Sequence, residues 1–134
     1  MANEVYEGHG TTITFSGWTP EVISVEIGAA ERESIETTDL ADTSWKSYVP
    51  ASLADPGDVT VTCHHTGDSE ADITGGAGTL TITKPVPSGG STGATEASTA
   101  HLTSWQVGTF ATDQRVESVA VFKRSGTVTY TDST

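Results

Sequence analysis

The chain has 134 residues, of which 34% are hydrophobic, and its 18 acidic and 6 basic residues give a formal net charge of −12. This charge excludes the basic footprint of a nucleic-acid-binding protein and disfavours attachment to an anionic membrane. The single cysteine, Cys63, excludes an internal disulfide. The length suits a single domain over residues 1–134, and the composition favours short strands with one face in water.

The first residues, Met1–Gly8, are acidic and contain no apolar core, so we expect no signal peptide. No apolar run approaches the length of a membrane-spanning helix. These features predict a protein that is made in a cytoplasm and kept there until assembly.

The first third of the chain predicts three strands. Gly10–Phe15 alternates threonine with apolar residues, which is the period of a strand. Glu21–Ile27 alternates in the same way, with Ile23, Val25 and Ile27 expected on one half-buried face. Arg32–Thr38 is β-branched around Ile35 and charged elsewhere, which suits a strand facing water or a neighbouring chain.

A long loop, Leu40–Asp58, follows the third strand. Asp55–Asp58 reads Asp-Pro-Gly-Asp, and proline followed by glycine at the two central positions favours a type II turn. Val59–Cys63 then predicts a strand with Val59, Val61 and Cys63 on its apolar face. Cys63 is therefore expected to be a small buried hydrophobic residue.

The rest of the chain predicts four more strands and two flexible segments. The strands are expected at Leu80–Thr83, Leu102–Val107, Glu117–Lys123 (the most apolar, hence central) and Gly126–Thr131, the last two separated by a turn at Ser125–Gly126. Asp68–Gly78 and Pro85–Thr99 are rich in acidic, glycine, proline and serine residues and are expected to be flexible. Gly67–Ile73 could hold at most one short helical turn. The predicted fold class is mainly β, sandwich-like or barrel-like, with a long inter-strand loop.

Residues that could carry chemistry do not form a recognisable motif. Asp68, Glu70 and Asp72 have part of the spacing of a calcium loop but lack its final glutamate and flanking helices. His64 and His65 are adjacent in a strand, so they point to opposite faces and cannot easily share a metal. No nucleophile elbow, dinucleotide fingerprint or P-loop is present. We expect no enzyme activity, metal or cofactor.

The basic residues are too few and too scattered for a binding patch. Lys46 and Arg115 stand alone, and Lys123–Arg124 comes at the end of a predicted strand. The last pair is interpreted as charged protection of an exposed strand edge.

The loop Leu40–Asp58 carries bulky side chains that need a cover. Two interpretations stand: the loop folds back and plugs the end of its own sandwich, or it forms a contact between subunits. Aromatic anchors ringed by charge are typical of interfaces. The predicted contact residues are Leu40, Asp42, Trp45, Lys46, Tyr48, Val49, Leu53 and Asp55.

The sequence resembles the major tail tube proteins of long-tailed bacteriophages. Those proteins commonly show an Arg-Glu-Ser/Thr-Ile-Asp-x-Thr strand, a long loop ending in a Tyr/Phe-Ile-Pro-Gly-Leu-like segment, and an Asp-Pro/Ala-Gly-Glu/Asp-Val turn. The matching segments here are Arg32–Thr38, Trp45–Pro50 and Leu53–Val59. His101–Trp105 and Val116–Thr131 resemble the closing strands of the family.

The resemblance implies a structural virion protein of the tail. Its sheet would join those of neighbouring subunits into hexameric rings, and the rings would stack into a hollow tube through the long loop. Implied partners are further copies of the chain, a tape measure protein, and tail terminator and distal tail proteins. Genomic double-stranded DNA would pass through an acidic lumen that repels phosphate.

Two other functions remain open. A monomeric immunoglobulin-like or carbohydrate-binding sandwich could present Trp18, Trp45 or Trp105 as a sugar platform. The inner tube of a contractile tail or related injection machine would share the fold. Microscopy of the purified protein would separate an assembling protein from a monomeric module.

Overall fold

The computed structural model describes residues 9–41, 43–65 and 70–134. Eight strands and no helix occur in these residues, so the mainly β fold is confirmed. The strands are β1 (Thr12–Phe15), β2 (Glu21–Ile27), β3 (Glu31–Glu36), β4 (Tyr48–Asp55), β5 (Asp58–His64), β6 (Gly78–Thr83), β7 (Thr95–Val107) and β8 (Glu117–Thr131).

Six strands form one antiparallel sheet in the order β1-β6-β7-β8-β5-β2, and the sheet curls into a half-barrel. The central position predicted for the apolar run Glu117–Lys123 is confirmed, since β8 lies between β7 and β5. β1 and β2 are the two edges. β3 and β4 pair separately as a two-stranded antiparallel sheet. This sheet and the loop that joins its two strands are described below as the hairpin.

The core is built from residues of the six-stranded sheet and follows the period-two alternation of the strands. Val59, Val61 and Cys63 of β5 are completely buried, as their spacing predicts. Phe122 of β8 packs against Phe15, with ring centroids 4.8 Å apart. The other buried apolar residues are Ile13, Leu80, Ile82, Ala100, Leu102 and Ala120.

The turn predicted at Ser125–Gly126 is wrong, because β8 continues through it to Thr131. Gly126 has a φ of 77°, and the pairing of β7 with β8 shifts register between Ala97 and Thr99 at this level. A glycine in the left-handed region accommodates such a bulge without strain. A Ser-Gly pair therefore bends this strand instead of ending it.

The flexible segment predicted at Pro85–Thr99 is too long. Its last five residues belong to β7, which starts at Thr95, and the side chains of Glu96 and Ser98 are buried there. Pairing with both β6 and β8 orders this polar stretch, which has too little apolar surface to order itself.

The expected face of β2 is corrected at Ile23, whereas Val25 packs against the core as predicted. A bulge between Val22 and Ser24 makes Ile23 the extra residue in the pairing with β5. Val22 and Val25 consequently pack against the core, and Ile23 is more than one-third exposed.

The short helical turn considered for Gly67–Ile73 falls partly on residues 66–69, which lie outside the described residues. From residue 70 to the start of β6 the chain contains a turn and no helix. In the described ranges, no helix has the length and apolar character needed to cross a membrane.

Candidate assembly surface

The hairpin contains the segment predicted to be a long loop. Residues 48–55 form strand β4 and pair with β3, so the expectation of a loop throughout Leu40–Asp58 is wrong. The remaining loop spans residues 37–47. Its neck is held by the Thr37 amide donating to the Ser47 carbonyl at 2.8 Å, and by the Ser47 amide donating to the Thr38 hydroxyl at 2.8 Å.

The hairpin has no buried face. Every residue of β3 is exposed, and all of β4 except Ala51 is exposed. An isolated two-stranded hairpin is marginally stable in water, because it cannot bury an apolar face alone. A cover from outside the chain would therefore stabilise it.

The apolar residues predicted for the contact surface all point away from the chain's own core. Trp45 is 86% exposed and Leu53 is 84% exposed, and Leu40 is fully exposed. Tyr48 and Val49 are each exposed to a lesser degree. The interpretation in which these side chains plug the end of their own sandwich is wrong.

The polar residues of the predicted surface divide into three cases. Lys46 is exposed in the loop beside Trp45. Asp55 accepts a hydrogen bond from the Gly57 amide at 2.9 Å, so its side chain stabilises the turn after β4. Asp42 lies outside the described residues. Gly57 has a φ of 82°, as the glycine position of the predicted type II turn requires.

Arg124 contacts the base of the hairpin. The sequence pattern predicts protection of a strand edge at this residue, and this prediction is wrong, because Arg124 is only 3% exposed and lies on a central strand. Its Nη1 donates to Glu96 Oε1 at 3.0 Å, and its Nη2 donates to the carbonyl of Pro56. The alternation along β8 indicates that Arg124 is buried, because it lies two residues after Phe122 and four after Ala120, on the same buried face of the strand.

Glu96 joins two cations at this position. Its second oxygen, Oε2, lies 3.2 Å from Lys84 Nζ, and Glu96 as a residue is only 5% exposed. A buried charge of this kind is tolerated only when it is paired and hydrogen-bonded. The cluster Lys84–Glu96–Arg124 satisfies that condition next to the hairpin base.

The tryptophans considered as a sugar platform have different environments. Trp18 and Trp105 pack against the core and meet edge to face, with ring centroids 5.8 Å apart. Trp105 Nε1 also donates to Glu70 at 3.1 Å. Both rings are therefore used in packing, and Trp45 is the exposed one of the three.

The histidine and acidic segments show local structural contacts. His65 Nδ1 lies 3.0 Å from Ser118 Oγ, and His65 Nε2 lies 3.3 Å from Glu70. Asp72 accepts hydrogen bonds from the hydroxyl and amide of Thr74, which lower the pKa of its carboxyl group. Within the described ranges, histidine, cysteine, aspartate and glutamate side chains form no group of three that could hold a metal.

No protein-family model matches the sequence, and no curated protein matches it. Solved structures match over nearly the whole chain. A chain in the PVC sheath/tube terminator of an extracellular contractile injection system, in the extended state, superposes with a TM-score of 0.77 at 11% identity, covering 98% of this chain and 99% of that chain.

Two further structures show the same fold. A chain of the PVC sheath-tube complex gives a TM-score of 0.74 at 12% identity, covering 97% of this chain and 93% of that chain. The SPP1 tail tube gives a TM-score of 0.61 at 13% identity, covering 94% of this chain and 78% of that chain. This chain therefore has the tube-type β fold seen in those assemblies.

Proposed function

We propose that the protein is a structural subunit whose copies form hexameric rings that stack into the hollow tail tube of a long-tailed bacteriophage. The observation that carries the proposal is the hairpin, which exposes large apolar side chains and has no buried face. The fold of the whole chain is shared with chains of tube assemblies, and this similarity supports the same proposal. The predicted contact residues Leu40, Asp42, Trp45, Lys46, Tyr48, Val49, Leu53 and Asp55 form the contact between rings in this proposal.

The six-stranded sheet has two edges that favour pairing between subunits. β1 and β2 each have one neighbour within the sheet, so each leaves a row of backbone groups unpaired by strands of the described chain. Joining edges around a closed ring removes this liability. The exposed edge residues Ile23 and Ile27 of β2 would lose water at the same time.

The acidity of the chain suits a conduit for DNA. A net charge of −12 distributed over each subunit repels phosphate groups. Duplex DNA would pass through such a tube during ejection without binding to its wall. A tape measure protein would occupy the lumen during assembly, and terminator and distal tail proteins would close the two ends.

Negative-stain microscopy of the purified protein tests this function. We expect rings or tubes for the unmodified chain. Trp45→Ala should raise the protein concentration needed for assembly by about thirtyfold, since a buried aromatic anchor contributes roughly 2 kcal/mol or more to an interface.

Val86→Ala is the matched control, because Val86 is an exposed apolar residue on the connection between β6 and β7. It should assemble like the unmodified chain. A protein that remains monomeric at high concentration and near-physiological salt contradicts the proposal. A shift of Trp45 fluorescence with a glycan, and no assembly, would favour the carbohydrate-binding module.

A second function, the inner tube of a contractile injection machine, is favoured by one observation. The fold superposes with a higher TM-score on the PVC sheath-tube chain, 0.74, than on the SPP1 tail tube, 0.61. The two functions differ in whether a sheath binds the outside of the tube. Co-expression of this protein with a sheath protein encoded by an adjacent gene, followed by microscopy, distinguishes the two functions. A sheathed tube would indicate the contractile machine.

A further inference from the structure

The hairpin is attached to the rest of the chain at a narrow base. One connection, residues 28–30, leads into β3, and the other, Pro56–Gly57, leads out of β4. β3 and β4 pack on each other, and in the described part of the chain neither makes a substantial contact with the strands of the larger sheet. The orientation of the hairpin therefore depends on what holds these two connections.

Arg124 contacts both connections at once. Its Nη2 lies within hydrogen-bonding distance of the Pro56 carbonyl and 3.4 Å from the Gly28 carbonyl. Its Nε lies 3.4 Å from the Gly57 carbonyl. The planar guanidinium presents several donors in a rigid fork, so a single side chain can hold several carbonyl groups in one arrangement.

The opposite side of the guanidinium is held by Glu96, which is itself paired with Lys84. This leaves Arg124 little freedom to move. A buried ion pair adds little net stability, because its desolvation offsets much of the attraction. Keeping a charged residue here is therefore better explained by positioning than by stability.

We propose that Arg124 is a positioning residue that sets the angle of the hairpin relative to the six-stranded sheet, and thereby the register of its contact with the next ring. The second half of this inference rests on the proposed tube function. The claim about the angle of the hairpin concerns the isolated subunit and can be measured in the monomeric protein.

The first experiment measures hairpin orientation in the monomeric protein. Spin labels are placed at Lys46→Cys and Gln106→Cys, two exposed positions on the hairpin and on β7, in a Cys63→Ala background. The parent protein should give a single narrow distance distribution. Arg124→Met combined with Glu96→Gln removes the fork and its charged partner together, and should widen the distribution about twofold as the hairpin samples more orientations.

Two comparisons separate positioning from stability. Arg124→Lys keeps a charge beside Glu96 but not the planar fork, so it should also widen the distribution. If the double variant does not fold, Arg124→Lys alone tests whether Arg124 positions the hairpin. Arg115→Met with Glu117→Gln removes an exposed arginine–glutamate pair joined at 2.8 Å, distant from the hairpin, and should leave the distribution unchanged.

The second experiment compares assembly of the same variants. The double variant and Arg124→Lys should each require about tenfold more protein to assemble, which corresponds to a loss of about 1.4 kcal/mol. If the parent protein does not assemble, the tube function fails and the distance measurement still decides the role of Arg124. An unchanged narrow distribution in Arg124→Lys and in the folded double variant overturns the inference.

Discussion

Ile35 and Val49 lie directly opposite each other across the hairpin, on the same face of a two-stranded sheet, and both are substantially exposed. Directly opposed side chains on antiparallel strands pack against each other, but here nothing within the described chain covers the pair. Thr substitutions at these positions keep the β-branched shape and remove apolar surface. The pair therefore offers a test of the hairpin that leaves its backbone propensity almost unchanged.

Ile35→Thr combined with Val49→Thr should leave the thermal midpoint of the monomer nearly unchanged and weaken assembly. Burying two hydroxyl groups without partners costs about 1–3 kcal/mol each, so the concentration for assembly should rise at least about thirtyfold. Light scattering and negative-stain microscopy measure the threshold. Val86→Thr is the control at an exposed position outside the hairpin. An unchanged threshold for the double variant would mean that this face stays in water.

Phe122→Ala should destabilise the subunit by about 3–5 kcal/mol, because it removes a completely buried ring that packs against Phe15 and Trp18. Urea unfolding followed by circular dichroism measures the change. Phe110→Ala removes a ring that is 70% exposed and should cost much less. Similar losses for the two variants would contradict the position of the core.

Gly57→Ala should destabilise the chain more than Gly17→Ala. Both glycines have nearly the same φ, 82° and 85°, so both substitutions carry a similar backbone penalty of about 1–2 kcal/mol. A Cβ on Gly57 would overlap the carbonyl of Ala29, whereas a Cβ on Gly17 would meet nothing within 4 Å.

The difference between these two glycine variants, measured by urea unfolding, therefore reports the close approach at the hairpin base. We expect roughly 1–3 kcal/mol of additional destabilisation at Gly57. Equal losses of unfolding free energy in the two variants would contradict the prediction, because they would show that the turn and the connection before β3 move apart at little cost.

The Cys63 thiol should react with a thiol reagent only when the chain unfolds. Its side chain is completely buried in β5, and burial raises the pKa of the thiol because the thiolate is poorly solvated there. Absorbance of the released chromophore with and without denaturant measures this. Rapid labelling of the native protein would contradict the predicted burial.

The same raised pKa predicts a pH dependence of stability. The native thiol keeps its proton at pH values where the unfolded thiol, with an ordinary pKa near 9.0, ionises. The contribution of Cys63 is therefore complete below that pKa and is lost as the pH rises through the native pKa. The free energy of unfolding, measured at pH 8 and 10 for the parent and Cys63→Ala, should show a smaller difference at the higher pH. A difference that grows with pH would reverse the sign and contradict the prediction.

Much of the strand content follows from period-two alternation in the sequence. Val59, Val61 and Cys63 alternate with threonines, and the structure buries them together. Alternation fails where the pairing is irregular, as at Ile23, because a bulge inserts one residue and exchanges the faces beyond it. It also fails at Tyr48–Asp55, where apolar, small and polar residues follow no period of two and form a strand because β3 offers a partner.

The bulky residues Trp45 and Leu53 indicate in the sequence that a cover is needed, from the chain itself or from another subunit. The structure removes the first alternative, because both side chains are more than four-fifths exposed. Which surface of another copy would meet them depends on contacts between chains. That assignment stays a proposal and is tested by the assembly experiments above.

The amino-acid sequence established the strand alternation of β5, the acidic charge and the bulky apolar residues of the segment predicted as a loop, because composition and local spacing can be read along the chain. Only the tertiary structure decided the burial and the partners of Arg124. Alternation places it on the inward face of β8, but a buried guanidinium requires partners, and those partners come from Glu96 on β7 and from the two connections of the hairpin. Residues 28–30, 56–57 and 96 are distant in sequence, and folding of the sheet brings them to one point.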